Sequence, residues 1–195
     1  RVEGNRIEET GARDGGSGQN GNAINVFRAD NVSVSGNRIR GAAFSAVRAN
    51  AAGNVSITGN NCSALGEVAI YVELGSEGAV VASNIVDGAA LGIVATNFNH
   101  GGRLANIHGN IVRNLVSRRP AGTDPGDAAG IGISAEADAV IAANVVEGAP
   151  TAGIQIGWGQ YLRDVSVTGN VVKGAPVGIA VSVAPGAGHA LIANN

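Results

Sequence analysis

The sequence predicts an all-β protein, a right-handed single-stranded parallel β-helix of about seven coils carrying an asparagine ladder. Three observations predict it. An asparagine in one repeated phrase stands at Asn5, Asn37, Asn60, Asn84, Asn110, Asn144, Asn170 and Asn195, with gaps of 32, 23, 24, 26, 34, 26 and 25 residues. A fixed period of this length marks a stacked repeat. Within each unit, short runs alternate apolar and polar residues with the period of a strand that buries one face. Finally, 45% of the residues are apolar but only 3% are aromatic, and 31 of 195 are glycine. Thin stacked layers are filled by Val, Ile, Ala and Gly rather than by large rings.

Each unit resolves into three runs. The first reads Ala23-Ile-Asn-Val26, Ala46-Val-Arg-Ala49, Ala69-Ile-Tyr-Val72, Gly92-Ile-Val-Ala95, Gly130-Ile-Gly-Ile133, Gly153-Ile-Gln-Ile156 and Gly178-Ile-Ala-Val181. The second ends in the marker, as in Val55-Ser-Ile-Thr-Gly-Asn60 and Val165-Ser-Val-Thr-Gly-Asn170. A glycine suits the positive φ of a tight turn, and an inward asparagine stacked on its equivalents donates and accepts between coils. Ser83, Ala143 and Asn194 replace that glycine, so a different or mildly strained turn is expected there. The third run is short, and its inward row is Ile7, Ile39, Cys62, Val86, Val112, Val146 and Val172. Cys62 therefore reads as a small buried hydrophobe. No unit holds a helical stretch of ten residues. Parallel crossovers are nearly always right-handed, which sets the expected hand.

The chain reads as one β-helix domain over 1–195, a piece of a longer solenoid, since it begins and ends in phase with the repeat. The two long gaps hold insertions at 10–22, rich in glycine, and 116–127, with Pro120 and Pro125. The Gly15-Gly-Ser-Gly18 segment leads into no helix and lacks a following Lys-Ser/Thr, so it reads as an insertion rather than a phosphate cradle. Net charge is −2 with the charges scattered, which offers no surface for nucleic acid. No apolar run is long enough to insert in a membrane.

The repeat resembles that of pectin-lyase-like proteins. More narrowly, Gly130-Ile-Gly-Ile-Ser-Ala-Glu136, Ala149-Pro-Thr-Ala-Gly-Ile154, the segment Gly157-Trp-Gly-Gln-Tyr-Leu-Arg-Asp-Val-Ser-Val-Thr-Gly-Asn170, and Gly178-Ile-Ala-Val-Ser-Val-Ala-Pro-Gly-Ala187 carry a second resemblance. They are similar to a bacterial family of twin-arginine-translocated repetitive proteins whose biochemical role is undefined. That resemblance implies export of the folded protein to the bacterial periplasm or beyond. The internal Arg118-Arg119 pair is not an export signal.

Function on a solenoid usually occupies one extended face and its adjacent loops. One outward row of the first run reads Asn25, Arg48, Tyr71, Val94, Gly132, Gln155 and Ala180. The next reads Phe27, Asn50, Glu73, Thr96, Ser134, Gly157 and Ser182. With Trp158 and Tyr161 on the neighbouring bend, the candidate binding residues are Asn25, Arg48, Tyr71, Glu73, Gln155, Trp158 and Tyr161. Amides, a guanidinium, a carboxylate and rings suit a polysaccharide, including one with uronate units. A non-catalytic envelope scaffold is the alternative.

Catalysis by a lyase, epimerase or glycoside hydrolase would need convergent carboxylates. The face offers Glu73, with Glu136 and Asp138 near a turn, and Arg48 beside Glu73 only echoes a lyase base. No catalytic residue is assigned. No cofactor is evident, calcium has no acidic cluster to support it, and His100, His108 and His189 lack metal-ligand spacing.

Two further expectations concern the surface. Charges of opposite sign on the third run, Glu8, Arg40, Asp87, Arg113, Glu147 and Lys173, fall near one another along the stack. If Ile85, Ile111, Val145 and Val171 point outward, they form an apolar stripe to be covered by a loop such as 114–128 or by a partner. If the turn shifts the register, they are core. Self-association, end to end or side by side, is the partner expectation.

Overall fold

The computed structural model describes residues 1–13, 20–98, 103–124 and 126–195. The Gly15–Gly18 segment, His100 and Pro125 lie outside the described residues. The strands form three parallel sheets that run the length of the stack. The marker sheet has eight strands, from Val2–Glu3 through Glu77–Ala82 to Ala190–Ala193. The short-strand sheet has seven three-residue strands, from Arg6–Glu8 to Val171–Lys173. The first-run sheet also has seven, from Ile24–Phe27 through Leu91–Thr96 to Val177–Val181. A 3-10 turn at Gly159–Tyr161 is the single helical element among the described residues.

The marker asparagines do what their spacing predicts. Asn37, Asn60, Asn84, Asn110, Asn144 and Asn170 are all buried. The Asn84 side-chain amide donates to Asn110 Oδ1 at 3.0 Å and to the Ile57 carbonyl at 2.9 Å. The Asn84 main-chain N–H donates to the same Asn110 oxygen at 2.9 Å. The pattern repeats in every coil from Asn37 to Asn170, so each amide closes one turn and ties it to the next. The residue before the marker keeps one conformation whether or not it is glycine. Its φ is 64° at Gly59, 57° at Ser83, 54° at Ala143 and 56° at Asn194. The turn is thus unchanged and the strain sits on the side-chain-bearing residues.

Inward, Ile39, Cys62, Val86, Val112 and Val146 are fully buried in the core. Burial pushes the Cys62 thiol up to about 12. At the corner where the first run begins, backbone and side chain approach too closely for a Cβ. One added at Gly132 would lie 2.4 Å from the Gly153 carbonyl oxygen and 2.5 Å from Val146 Cγ1. This contact settles the register of the fifth coil, which differs from the expected one. Val94 pairs with Ser134, not with Gly132, and Ser134 pairs with Gln155. A slip of two residues preserves which side chains face inward, so the alternation alone did not distinguish the two registers.

On the short-strand sheet Ile85, Ile111, Val145 and Val171 do point outward, at 36–58% exposure. The 114–128 segment does not cover them; it crosses instead to the first-run sheet, where Arg119 meets Glu67. Beside the stripe, Arg113 pairs with Asp87 at 2.8 Å and Lys173 with Glu147 at 3.0 Å, as expected. Glu8 pairs with Arg6 of its own strand.

Candidate functional site

The first-run face is not the open, solvated groove that the alternating pattern suggests. In its middle coils, outward Arg48, Tyr71 and Glu73 are buried, because the inserted loop lies over them. Arg48 Nε donates to Glu73 Oε1 at 2.6 Å, and the Asn50 amide donates to the same oxygen at 2.9 Å. The Arg48 guanidinium also lies 4.9 Å from the Tyr71 ring centroid and 3.3 Å from Glu67 Oε2. From the loop, Arg119 reaches down to Glu67 Oε1 at 2.6 Å and spans to Asp127 at 3.2 Å. It also donates to the Ala128 carbonyl at 3.1 Å. Two guanidiniums thus answer two buried carboxylates, and the Arg119–Glu67 pair straps the loop to the sheet. Burial, and the negative Glu73 beside it, push the Tyr71 hydroxyl above its ordinary range.

Beyond this strap a cleft of about 260 Å³ opens between sheet and loop. Its floor is apolar: Tyr71, Leu91, Val94 and Ile131 line it and, with Val68 and Ala152 packed beside them, form a small cluster separate from the core. Its rim holds Phe98 and Trp158, edge to face with centroids 6.3 Å apart and planes at 76°. Trp158 is half exposed. Polar groups converge from Thr96, Ser134, Glu136, Gln155 and Asp127.

Glu136 follows the strand Ile131–Ala135 and, by the two-residue shift, falls beside Thr96 on the row that contains Glu73. It is buried, accepting from the Thr96 hydroxyl and from the main-chain N–H groups of Asn97 at 2.6 Å and Phe98 at 3.0 Å. It therefore fixes the turn that presents Phe98. Asp138 lies away from the cleft, paired with Arg163.

Of the residues predicted from sequence, Arg48, Tyr71, Glu73, Gln155 and Trp158 line this cleft or the hollow adjoining it. Asn25 stands exposed on the first strand of the sheet, and Tyr161 closes the 3-10 turn; neither lines these hollows. Phe98, Arg119, Asp127 and Glu67 were not foreseen, and Glu136 was placed only near a turn, not on this row. The first three sit in turns or the insertion, outside the repeat, where periodicity says nothing. A correct fifth-coil register would have put Glu136 on the Glu73 row.

Glu67, Glu73 and Glu136 are each held by cations or hydrogen-bond donors. The Arg48–Glu73 arrangement is a buried ion pair. His108 sits on the marker sheet with Nδ1 3.2 Å from Asn106 Oδ1, and His189 lies near the far end of the stack; neither approaches the cleft. No group of three or more His, Cys, Asp or Glu side chains able to hold a metal ion occurs among the described residues. No helix among them is long and apolar enough to cross a membrane.

A search of the curated proteins and a search of the solved structures each returned no match. The family model described as "Right handed beta helix region" matches residues 1–172. With three parallel sheets, an asparagine ladder and that match over most of its length, the chain belongs to the right-handed β-helix family.

Proposed function

We propose that this chain is a carbohydrate-binding β-helix whose cleft under the 116–129 loop takes one or two rings of a polysaccharide without cleaving it. The observation that carries the reading is the Phe98–Trp158 pair standing over an apolar floor and beside the Gln155 amide, the Ser134 hydroxyl and the Asp127 carboxylate. Sugars present C–H faces to aromatic rings and hydroxyls to polar groups, and binding sites pair an apolar lining with a few placed polar groups. Charge selects among sugars. Glu67, Glu73, Asp124, Asp127 and Glu136 line the two hollows against Arg48 and Arg119. This acidic excess favours neutral or amino sugars and disfavours uronates. Work at the bacterial envelope, after export in the folded state, belongs to the same proposal and rests on the sequence resemblance.

A glycan array spanning neutral, amino and uronate polymers tests it. Retention of a neutral or amino glycan is expected, weakened at least about tenfold by Trp158→Ala and by Gln155→Ala. Circular dichroism would confirm that each variant is folded. Absence of signal from the intact protein would end the binding reading in favour of a scaffold. Release of unsaturated product from a uronate polymer would end the non-catalytic one.

A further inference from the structure

The short-strand sheet carries a surface that the cleft does not use. Ile85, Ile111, Val145 and Val171 occupy one outward position in four consecutive coils and are paired in register. At ~4.8 Å per strand the stripe is about 14 Å long. On one side it is bordered by Ser83, Gly109, Ala143 and Gly169, exposed and too small to obstruct an approaching surface. Two residues along each strand on the other side stand Asp87, Arg113, Glu147 and Lys173. Their side chains are 33–77% exposed. Toward the first coils the apolar row gives way to Asn61, Arg38 and Arg6, which limits the stripe to these four coils.

The charge order along that row is minus, plus, minus, plus. Reversing it gives plus, minus, plus, minus, so the row complements itself when two copies meet in antiparallel orientation. We infer that this face docks a second copy of the same chain about a two-fold axis parallel to the strands. The axis passes between the strands Ile111–Arg113 and Val145–Glu147. Ile111 then packs on Val145 of the other copy and Ile85 on Val171, while Asp87 faces Lys173 and Arg113 faces Glu147. The same patch serves both copies, as in any isologous dimer. A two-fold along the stack axis would align the copies in parallel and would oppose the charge row to the small-residue side, leaving the alternation unused. The patch is well below the ~800 Å² per partner of a standard interface, so the dimer is weak, with a dissociation constant of about 10 μM to 1 mM.

Sedimentation equilibrium over that concentration range tests for the dimer. Ile111→Lys, which appears twice near the axis, should raise the dissociation constant at least about thirtyfold while leaving the circular dichroism unchanged. A fourfold variant, Asp87→Lys, Arg113→Glu, Glu147→Lys and Lys173→Glu, keeps the alternation with its signs inverted. It should self-associate like the natural chain, yet fluorescently labelled variant and natural chains should not pair with each other at low salt. Three results overturn the inference: a monomer throughout the range, a dimer indifferent to Ile111→Lys, or free pairing between natural and sign-inverted chains.

Discussion

Replacing Asn110 by alanine removes the centre of the ladder, and the structure allows the loss to be worked out bond by bond. Asn110 is 1% exposed. Its amide donates to the Val81 carbonyl at 2.9 Å, the His108 carbonyl at 3.1 Å and Asn144 Oδ1 at 2.9 Å. Its oxygen accepts from the Asn84 main chain at 2.9 Å and the Asn84 amide at 3.0 Å. After truncation, Asn144 Oδ1 keeps the Asn110 N–H and the Asn84 amide keeps Ile57, so these groups remain partnered. The Asn84 N–H and the Val81 carbonyl lose the bonds that Asn110 supplied. At about 1–3 kcal/mol for each buried group left wanting, and with a small void added, the expected loss is about 3–4 kcal/mol.

Asn5 provides the control. It is exposed, and its amide and main-chain N–H both donate to Asn37 Oδ1. Asn5→Ala leaves that oxygen with the main-chain bond and should cost less than about 1 kcal/mol. Urea unfolding followed by circular dichroism measures both, compared at equal m-values. A loss below about 1 kcal/mol for Asn110→Ala, or equal losses at the two sites, would refute the account of the ladder as coil-to-coil satisfaction of buried groups.

Three further outcomes are expected. Because burial raises the folded Cys62 thiol from 9.0 to about 12, its stabilising contribution is complete below pH 9 and is lost as pH rises toward 12. The unfolded chain releases that proton first, at about 1.4 kcal/mol per pH unit. Cys62→Val, matching the aliphatic residues above and below, should remove this one-proton slope in pH-dependent urea midpoints and change little at pH 7; an unchanged slope would place the thiol elsewhere. Ala143→Gly relieves a positive φ of 54°. It should stabilise by about 0.5–1 kcal/mol after the entropy of glycine is subtracted, read as a raised urea midpoint. Arg119→Ala uncouples the loop from Glu67 and should cost about 3 kcal/mol; limited proteolysis should then cut within 116–127 first, and resistance there would show that the strap is dispensable.

The repeat made most of the fold legible. The marker spacing located every coil, and the inward row of the third run placed Cys62 in the core. The same row put Ile85, Ile111, Val145 and Val171 one step from it but left open whether they face out, which the structure decides. The candidate face was legible only as a face. Alternation says that Arg48 and Glu73 point away from the core; it does not say whether water or another segment meets them. The fifth-coil register shows the limit most clearly. Gly130-Ile and Gly132-Ile offer the same parity, and only the close contact of Gly132 with Val146 and Gly153 decides between them.

By itself the sequence determined a right-handed β-helix with its asparagine ladder and its core rows. These follow from a local period, because each coil makes the same contacts with the coils above and below. Only the tertiary structure decided that the 116–127 insertion crosses to the first-run sheet. It thereby buries an Arg–Glu network where an open groove was expected, and leaves the apolar stripe bare. The physical reason is that an insertion interrupts the repeat. Where its charges find partners depends on Glu67 and Arg48, tens of residues away in the chain, and no period connects them.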